Sequence, residues 1–223
     1  MGNQLKQNNS EIIKQRFERD AVAFDAIYGT QHEFSGWFNR YFRKPIFERY
    51  NIAFEVLGDL KDRSVLDVGC GSGIYSVQCA RNGAARVKGI DFSAPMLEIA
   101  RKRAKAQNKA DICQFELNDF LLMSDKEQFD FIIVMGVFDY LSDPLTFLRK
   151  LKSVAKGKII ASFPGHAFLR EPLRKLRYKL TSKGQVYFYS YKNITDLVTE
   201  VGFRQMEIRS MHTGSGFVLI ASM

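Results

Sequence analysis

Cysteine is scarce: Cys70, Cys79 and Cys113 are the only three in 223 residues, and no two form a CxxC pair. So sparse and odd a set excludes a disulfide framework and a thiolate zinc site, and it implies reduced thiols in a cytoplasmic protein. Histidine is limited to His32, His166 and His212, and no metal site is expected. No apolar run approaches the roughly 18 residues that cross a bilayer. The first twenty residues, MGNQLKQNNSEIIKQRFERD, have no apolar core of the signal-peptide kind. Gly2 does not open a myristoylation signal, because Lys6 stands where that signal carries Ser or Thr. Repeats, low-complexity tracts and linkers are also missing.

What is present suits a folded α/β domain. Hydrophobic residues make up 46% and charged residues 26%, ordinary values for a globular chain. The net charge of +9 is compatible with a solvated basic surface, with an anionic small substrate or membrane surface, or with nucleic acid. Charge alone does not choose among these.

Residues 1–61 read as a helical appendage. Ile13, Phe17, Phe24 and Ile27 recur at near-helical spacing, and a second helix is expected from Pro45 to Leu57, stopped by Gly58. From residue 62 to 223 strands and helices alternate. Strands are expected at Val65–Val68, Val87–Asp91, Ile112–Leu117, Phe129–Met135 and Lys158–Phe163. Ser93 is placed to cap the helix after the second strand, Asp143-Pro144 to open the helix after the fourth, and Asn193 to cap a later one. Two last strands, Phe203–Ser210 and Gly216–Ser222, are joined by so short a turn that they must pair antiparallel. The alternation predicts a doubly wound, mainly parallel sheet. An aromatic-rich insertion at 164–192 would sit above the carboxyl ends of the strands, where such sheets bind ligands.

The stretch VLDVGCGSG at 65–73 joins a buried strand to a helix. Glycine suits this place because a ligand reaches the backbone only where no Cβ intervenes, and tight turns often need positive φ. The following helix N-terminus favours an acidic ligand group. S-adenosylmethionine carries a carboxylate at its methionine end, and Asp67 ends the strand near where the adjoining ammonium would lie. A dinucleotide fingerprint is G-x-G-x-x-G. Here the glycines are Gly69, Gly71 and Gly73, so the third comes one residue early, which favours S-adenosylmethionine. Asp91, about 20 residues on, ends the second strand and can accept both ribose hydroxyls. Phe92 and Met96 are placed to pack on adenine. Asn118, Asp119 and Phe120 follow the third strand, where the carboxylate can take the adenine amino group and the phenyl can cover the ring. Cys70 and Met135 complete the expected cofactor contacts.

These segments, with VKGIDFS at 87–93, NDF at 118–120 and FDFIIVMGVFDYLSDP at 129–144, resemble the class I, Rossmann-like S-adenosylmethionine-dependent methyltransferases. The resemblance implies strand order 3-2-1-4-5-7-6 with strand 7 antiparallel, and the cofactor contacts just named. SFPG at 162–165, KGQVYFYS at 183–190 and DLVTEVGF at 196–203 are similar to magnesium-protoporphyrin O-methyltransferases, which implies a small-molecule O-methyltransferase subgroup.

Methyl transfer is largely a matter of alignment, and a base is optional. Many relatives carry a histidine near position 139 or 140; here the residues are Asp139 and Tyr140. Asp139 and His166 are the candidate bases, each equally suited to a structural role. Tyr140, Tyr187 and Tyr189 are candidate pocket residues, the last two sharing a face of an extended segment. Tyr28, Phe34, Trp37, Tyr41 and Phe42 form either a lid over the cofactor or the core of the appendage. The basic run 170–183 reads as an amphipathic helix facing solvent, an anionic substrate or a membrane. The expected activity is methylation of a small molecule on oxygen, yielding S-adenosylhomocysteine. The alternatives are an RNA or protein methyltransferase, or a non-catalytic binder of the cofactor. No RNA-binding module is recognised.

Overall fold

The computed structural model describes residues 11–12, 15, 37–166 and 185–223, with the backbone alone for 37–43. Helix α1 spans Trp37–Leu57 and leads to β1 (Ser64–Val68), α2 (Ile74–Arg81), β2 (Arg86–Asp91), α3 (Ala94–Ala106) and β3 (Cys113–Leu117). A 3₁₀ turn at Phe120–Leu122 precedes β4 (Phe129–Val134), α4 (Pro144–Ser153), β5 (Ala155–Pro164), α5 (Tyr191–Val201), β6 (Gln205–Ser210) and β7 (Gly216–Ser222). The seven strands lie in the order β3-β2-β1-β4-β5-β7-β6, as expected. The pairs from β3 to β5 are parallel; β7 runs antiparallel to both β5 and β6.

Period-two alternation sorts the strand residues onto two cores. Leu66, Ile132, Ile159 and Leu219 face one side, under Phe147, Leu148 and Leu151 of α4 and Ile194 and Val198 of α5. Val65, Val87, Ile133, Ile160 and Val218 face the other, under Ala53 and Leu57 of α1 and Val77 and Cys79 of α2. Both faces of the central strands are therefore largely dry, and β4 reads as a nearly continuous apolar run, whereas the outer β2 and β3 carry Lys88 and Glu116.

Several local expectations shift. Pro45 lies inside α1 and not at its start, eight residues after Trp37. The C-terminal half of α1 is held by its apolar face in the second core. Ser93 stands at the N-cap of α3 but makes no side-chain cap bond. α5 is capped by Ser190, whose hydroxyl accepts from the Asn193 N–H while Asn193 reaches back to the Ser190 N–H, so Asn193 is the third helical residue of a capping box. Asp143 caps α4 as expected, accepting from the Thr146 N–H. Tyr28, Phe34, His32 and the basic run 170–183 lie outside the described residues, as do the side chains of Trp37, Tyr41 and Phe42.

Candidate active site

Strand order reverses between β1 and β4, the switch point at whose carboxyl ends sheets of this kind form their ligand crevice. The glycine turn after β1 forms one wall. Its amides are largely turned inward: Gly69 and Cys70 donate to the Ile90 carbonyl, and Gly73 donates to that of Cys70. The Gly71 N–H donates to Asp91 Oδ2 at 2.8 Å, and the Ser93 N–H donates to Oδ1 at 2.9 Å. The Asp91 carboxylate is thereby fixed against the turn, and burial pushes its pKa up against those hydrogen bonds.

The three motif glycines, all with positive φ, do different work. A Cβ on Gly69 would stand 2.4 Å from Val137 Cγ2, so bare backbone there lets the post-β4 loop close against the turn. A Cβ on Gly73 would stand 2.8 Å from Ala100 Cβ, so that glycine lets α3 approach α2. A Cβ on Gly71 would meet nothing within 4 Å. Gly71 is the one whose bare face is turned to open space.

Asp67 points to the α2 side, 2% exposed, and accepts the Ser76 hydroxyl at 2.6 Å. Burial raises its carboxyl to about 7, the Ser76 bond acting against it. Cys70 departs from expectation. Its thiol is buried, placed where a Cβ on Gly89 would come within 2.9 Å of it, and only its backbone belongs to the turn. Phe92 stays accessible at the rim, 38% exposed, whereas Met96 is buried on α3. Asn118 donates through Nδ2 to Glu116, and Asp119 Oδ1 accepts the Leu121 N–H, so the acid caps the short 3₁₀ turn. The Phe120 ring is buried, 5.0 Å from that of Phe147. Met135 is buried in the second core beside Tyr75 and Met211.

Beyond β4 and β5, the segment 185–190 crosses both post-strand loops. The Tyr187 N–H donates to the Asp139 carbonyl at 2.9 Å, and the Tyr189 N–H to that of Pro164 at 2.8 Å. Asp139, Tyr140 and Tyr187 are half-buried here and His166 is exposed, its ring 5.9 Å from Phe188. Tyr189 is 6% exposed, its hydroxyl donates to the Phe138 carbonyl at 3.3 Å, and its ring meets Phe138 and Phe163 edge-on. It supports the post-β4 loop and also lines a surface pocket with Phe188, Asn193 and Leu197.

Two residues with no signal in the sequence also reach this rim, both from α1. Glu48 accepts the Thr213 N–H at 3.1 Å, the Thr213 hydroxyl at 2.7 Å, and the His212 N–H. Burial acts upward on this carboxyl, but those bonds outweigh it and hold its pKa below the usual range. The contact ties α1 to the β6–β7 turn. Arg49, the next residue, lies over Gly136, where a Cβ would stand 3.3 Å from Arg49 Nη1. Tyr50 and Phe54 pack on Tyr75 of α2 with ring centroids 5.4 and 5.9 Å apart, which settles the helix at this height. Among the described residues no cluster of His, Cys, Asp and Glu could hold a metal ion, and no helix is long and apolar enough to cross a membrane.

A parallel sheet wound 3-2-1-4-5, closed by an antiparallel hairpin and carrying a glycine turn opposite an acid, defines the Rossmann-like class I methyltransferase fold. Residues 59–202 match the methyltransferase domain family, and the chain belongs to it. The chain is similar to the ubiquinone biosynthesis O-methyltransferase of Neisseria meningitidis serogroup C, 39% identical over 100 residues, covering 44% of this chain and 42% of that protein. The corresponding protein of Histophilus somni is 38% identical over 108 residues, covering 47% and 45%. The match thus spans less than half the length of these relatives. The fold is similar to the magnesium protoporphyrin IX methyltransferase of Synechocystis PCC 6803, solved with bound S-adenosylhomocysteine. There the TM-score is 0.76 at 20% identity, covering 96% of this chain and 99% of that one.

Proposed function

We propose that this enzyme transfers a methyl group from S-adenosylmethionine to an oxygen of a small-molecule acceptor. The observation that carries the reading is the bare face of Gly71, open to the crevice and hydrogen-bonded to the acid ending β2. A nucleoside fits here because its backbone-facing surface needs room that any Cβ would fill. Asp91 offers the remaining lone pairs of a fixed carboxylate to the ribose hydroxyls. Phe92 offers an accessible ring to adenine, with Asn118 and Asp119 at the neighbouring strand tip. Arg49 and the α2 N-terminus are suited to the carboxylate of the methionine end. When bound, the cofactor supplies an electrophilic methyl on a sulfonium. The chain's own residues orient the acceptor and exclude water. Asp139 or His166, at the tips of β4 and β5, is suited to take the acceptor's proton, and Tyr140 and Tyr187 to line its pocket.

The choice of oxygen and of a small molecule is supported by the O-methyltransferases that the chain is similar to. The charge of +9 is compatible with an anionic acceptor. Labelled S-adenosylmethionine offered with a metabolite extract, with total RNA and with protein tests the reading. Label is expected in an alkali-stable ether or an ester of the metabolite fraction. Label in RNA alone would overturn it.

A further inference from the structure

Helix α3 touches the glycine turn at two points one helical turn apart. Ala100 lies where a Cβ on Gly73 would come within 2.8 Å. Arg103 lies three residues on, and its Nη1 donates to the Ser72 hydroxyl at 2.8 Å and also to the Ser72 carbonyl. The same helix begins immediately after Asp91, whose Oδ1 accepts the Ser93 N–H. Asp91 in turn accepts the Gly71 N–H. The contacts close a ring: Asp91 to Gly71, along the chain to Ser72, across to Arg103, and back down α3 to Ser93 and Asp91. One helix therefore sets the spacing between the acid and the turn.

We propose that Arg103 is a positioning residue for the methionine end of the cofactor. It touches no ligand. It holds Ser72, the residue before Gly73 at the opening of α2, and so fixes where the helix N-terminus stands, while Gly71 is held by Asp91. A guanidinium suits this position because one planar nitrogen, Nη1, carries two N–H donors, enough for both the carbonyl and the hydroxyl of Ser72. The adenosine end depends on Asp91, whose carboxylate is bonded to Gly71 and Ser93 and not to Arg103. The two ends of the cofactor are thus expected to respond differently.

The proposal rests on the cofactor reading above, and two ligands separate them. S-adenosylhomocysteine carries both ends; 5′-methylthioadenosine carries the adenosine and sulfur but no amino-acid group. Calorimetry on Arg103→Ala is expected to show S-adenosylhomocysteine weakened about tenfold, part of the worth of the two charged-donor hydrogen bonds lost from Ser72. Methylthioadenosine should bind within twofold of the unmutated protein. Arg103→Lys should restore part of the affinity. Ser72→Ala, a mild change should Arg103→Ala fold poorly, should weaken S-adenosylhomocysteine by a smaller factor and leave methylthioadenosine alone. Equal loss for both ligands, or no loss for either, would overturn the positioning role while leaving the cofactor reading intact. If the unmutated protein binds neither nucleoside, the cofactor reading falls and this proposal with it.

Discussion

A methyl group added at Gly71 and one added at Gly69 look alike in sequence, two positions apart in one turn, yet the structure predicts opposite consequences. Both residues have positive φ, 51° and 68°, so either alanine carries a left-handed penalty of about 1 kcal/mol. At Gly71 that is the whole effect on the fold, because the new Cβ meets nothing within 4 Å. At Gly69 the Cβ arrives 2.4 Å from Val137 Cγ2, and the post-β4 loop must move. Overpacking of this kind adds about 1–3 kcal/mol. For a chain of this size each kcal/mol lowers the melting midpoint by roughly 2–4 °C. Gly71→Ala should therefore melt roughly 2–4 °C lower than the unmutated protein, and Gly69→Ala roughly 4–16 °C lower. Cofactor affinity should rank the other way relative to stability. The Gly71 methyl intrudes on the ligand's own space, and the same overpacking of about 1–3 kcal/mol now falls on binding, a loss of about five- to 150-fold. Thermal unfolding and calorimetry with S-adenosylhomocysteine, run on both variants, read the two quantities separately. If Gly71→Ala bound the nucleoside as tightly as the unmutated protein, the placement of the ligand against this residue would be refuted.

Three further outcomes are expected. Asp67 is held neutral by burial up to about pH 7 against an ordinary value of 3.8, so its contribution to stability is complete below about pH 4 and is lost as pH rises through 7; Asp67→Asn should flatten this part of the melting profile between about pH 4 and 7, and an unchanged profile would show that Asp67 does not titrate there. Phe138 is fully buried among Phe147, Phe163 and Tyr189, and Phe138→Ala should cost about 3–5 kcal/mol, roughly 6–20 °C in melting midpoint, with a shift under about 3 °C counting against this account of the loop. With an acceptor that takes label, Asp139→Asn should lower kcat by about 10²-fold or more and leave S-adenosylhomocysteine affinity within twofold; an unchanged kcat would remove Asp139 as the base.

Strand positions and the glycine turn were legible in the residues, because each depends on neighbours a few positions away, whereas the strand order, which pairs β1 with β4, was implied only by the family resemblance. Alternation or a continuous apolar run marks a strand, Asp143-Pro144 marks a helix start, and glycines before a helix mark a turn. Asp91 was legible for the same reason, as the acid that ends a recognisable strand. Side-chain direction was not. The packing of Phe120 on Phe147 and of Tyr189 on Phe138 could not be read locally, since these partners lie 27 and 51 residues away in sequence. Gly69, Gly71 and Gly73 were indistinguishable until Val137 and Ala100 were brought against two of them. Glu48, Arg49 and Arg103 carried no signal at all, because their partners Thr213, Gly136 and Ser72 are chosen by how helices settle on the sheet. Local pattern follows from backbone geometry and burial period; which side chains meet across a crevice follows from long-range packing, and no short stretch of chain encodes it.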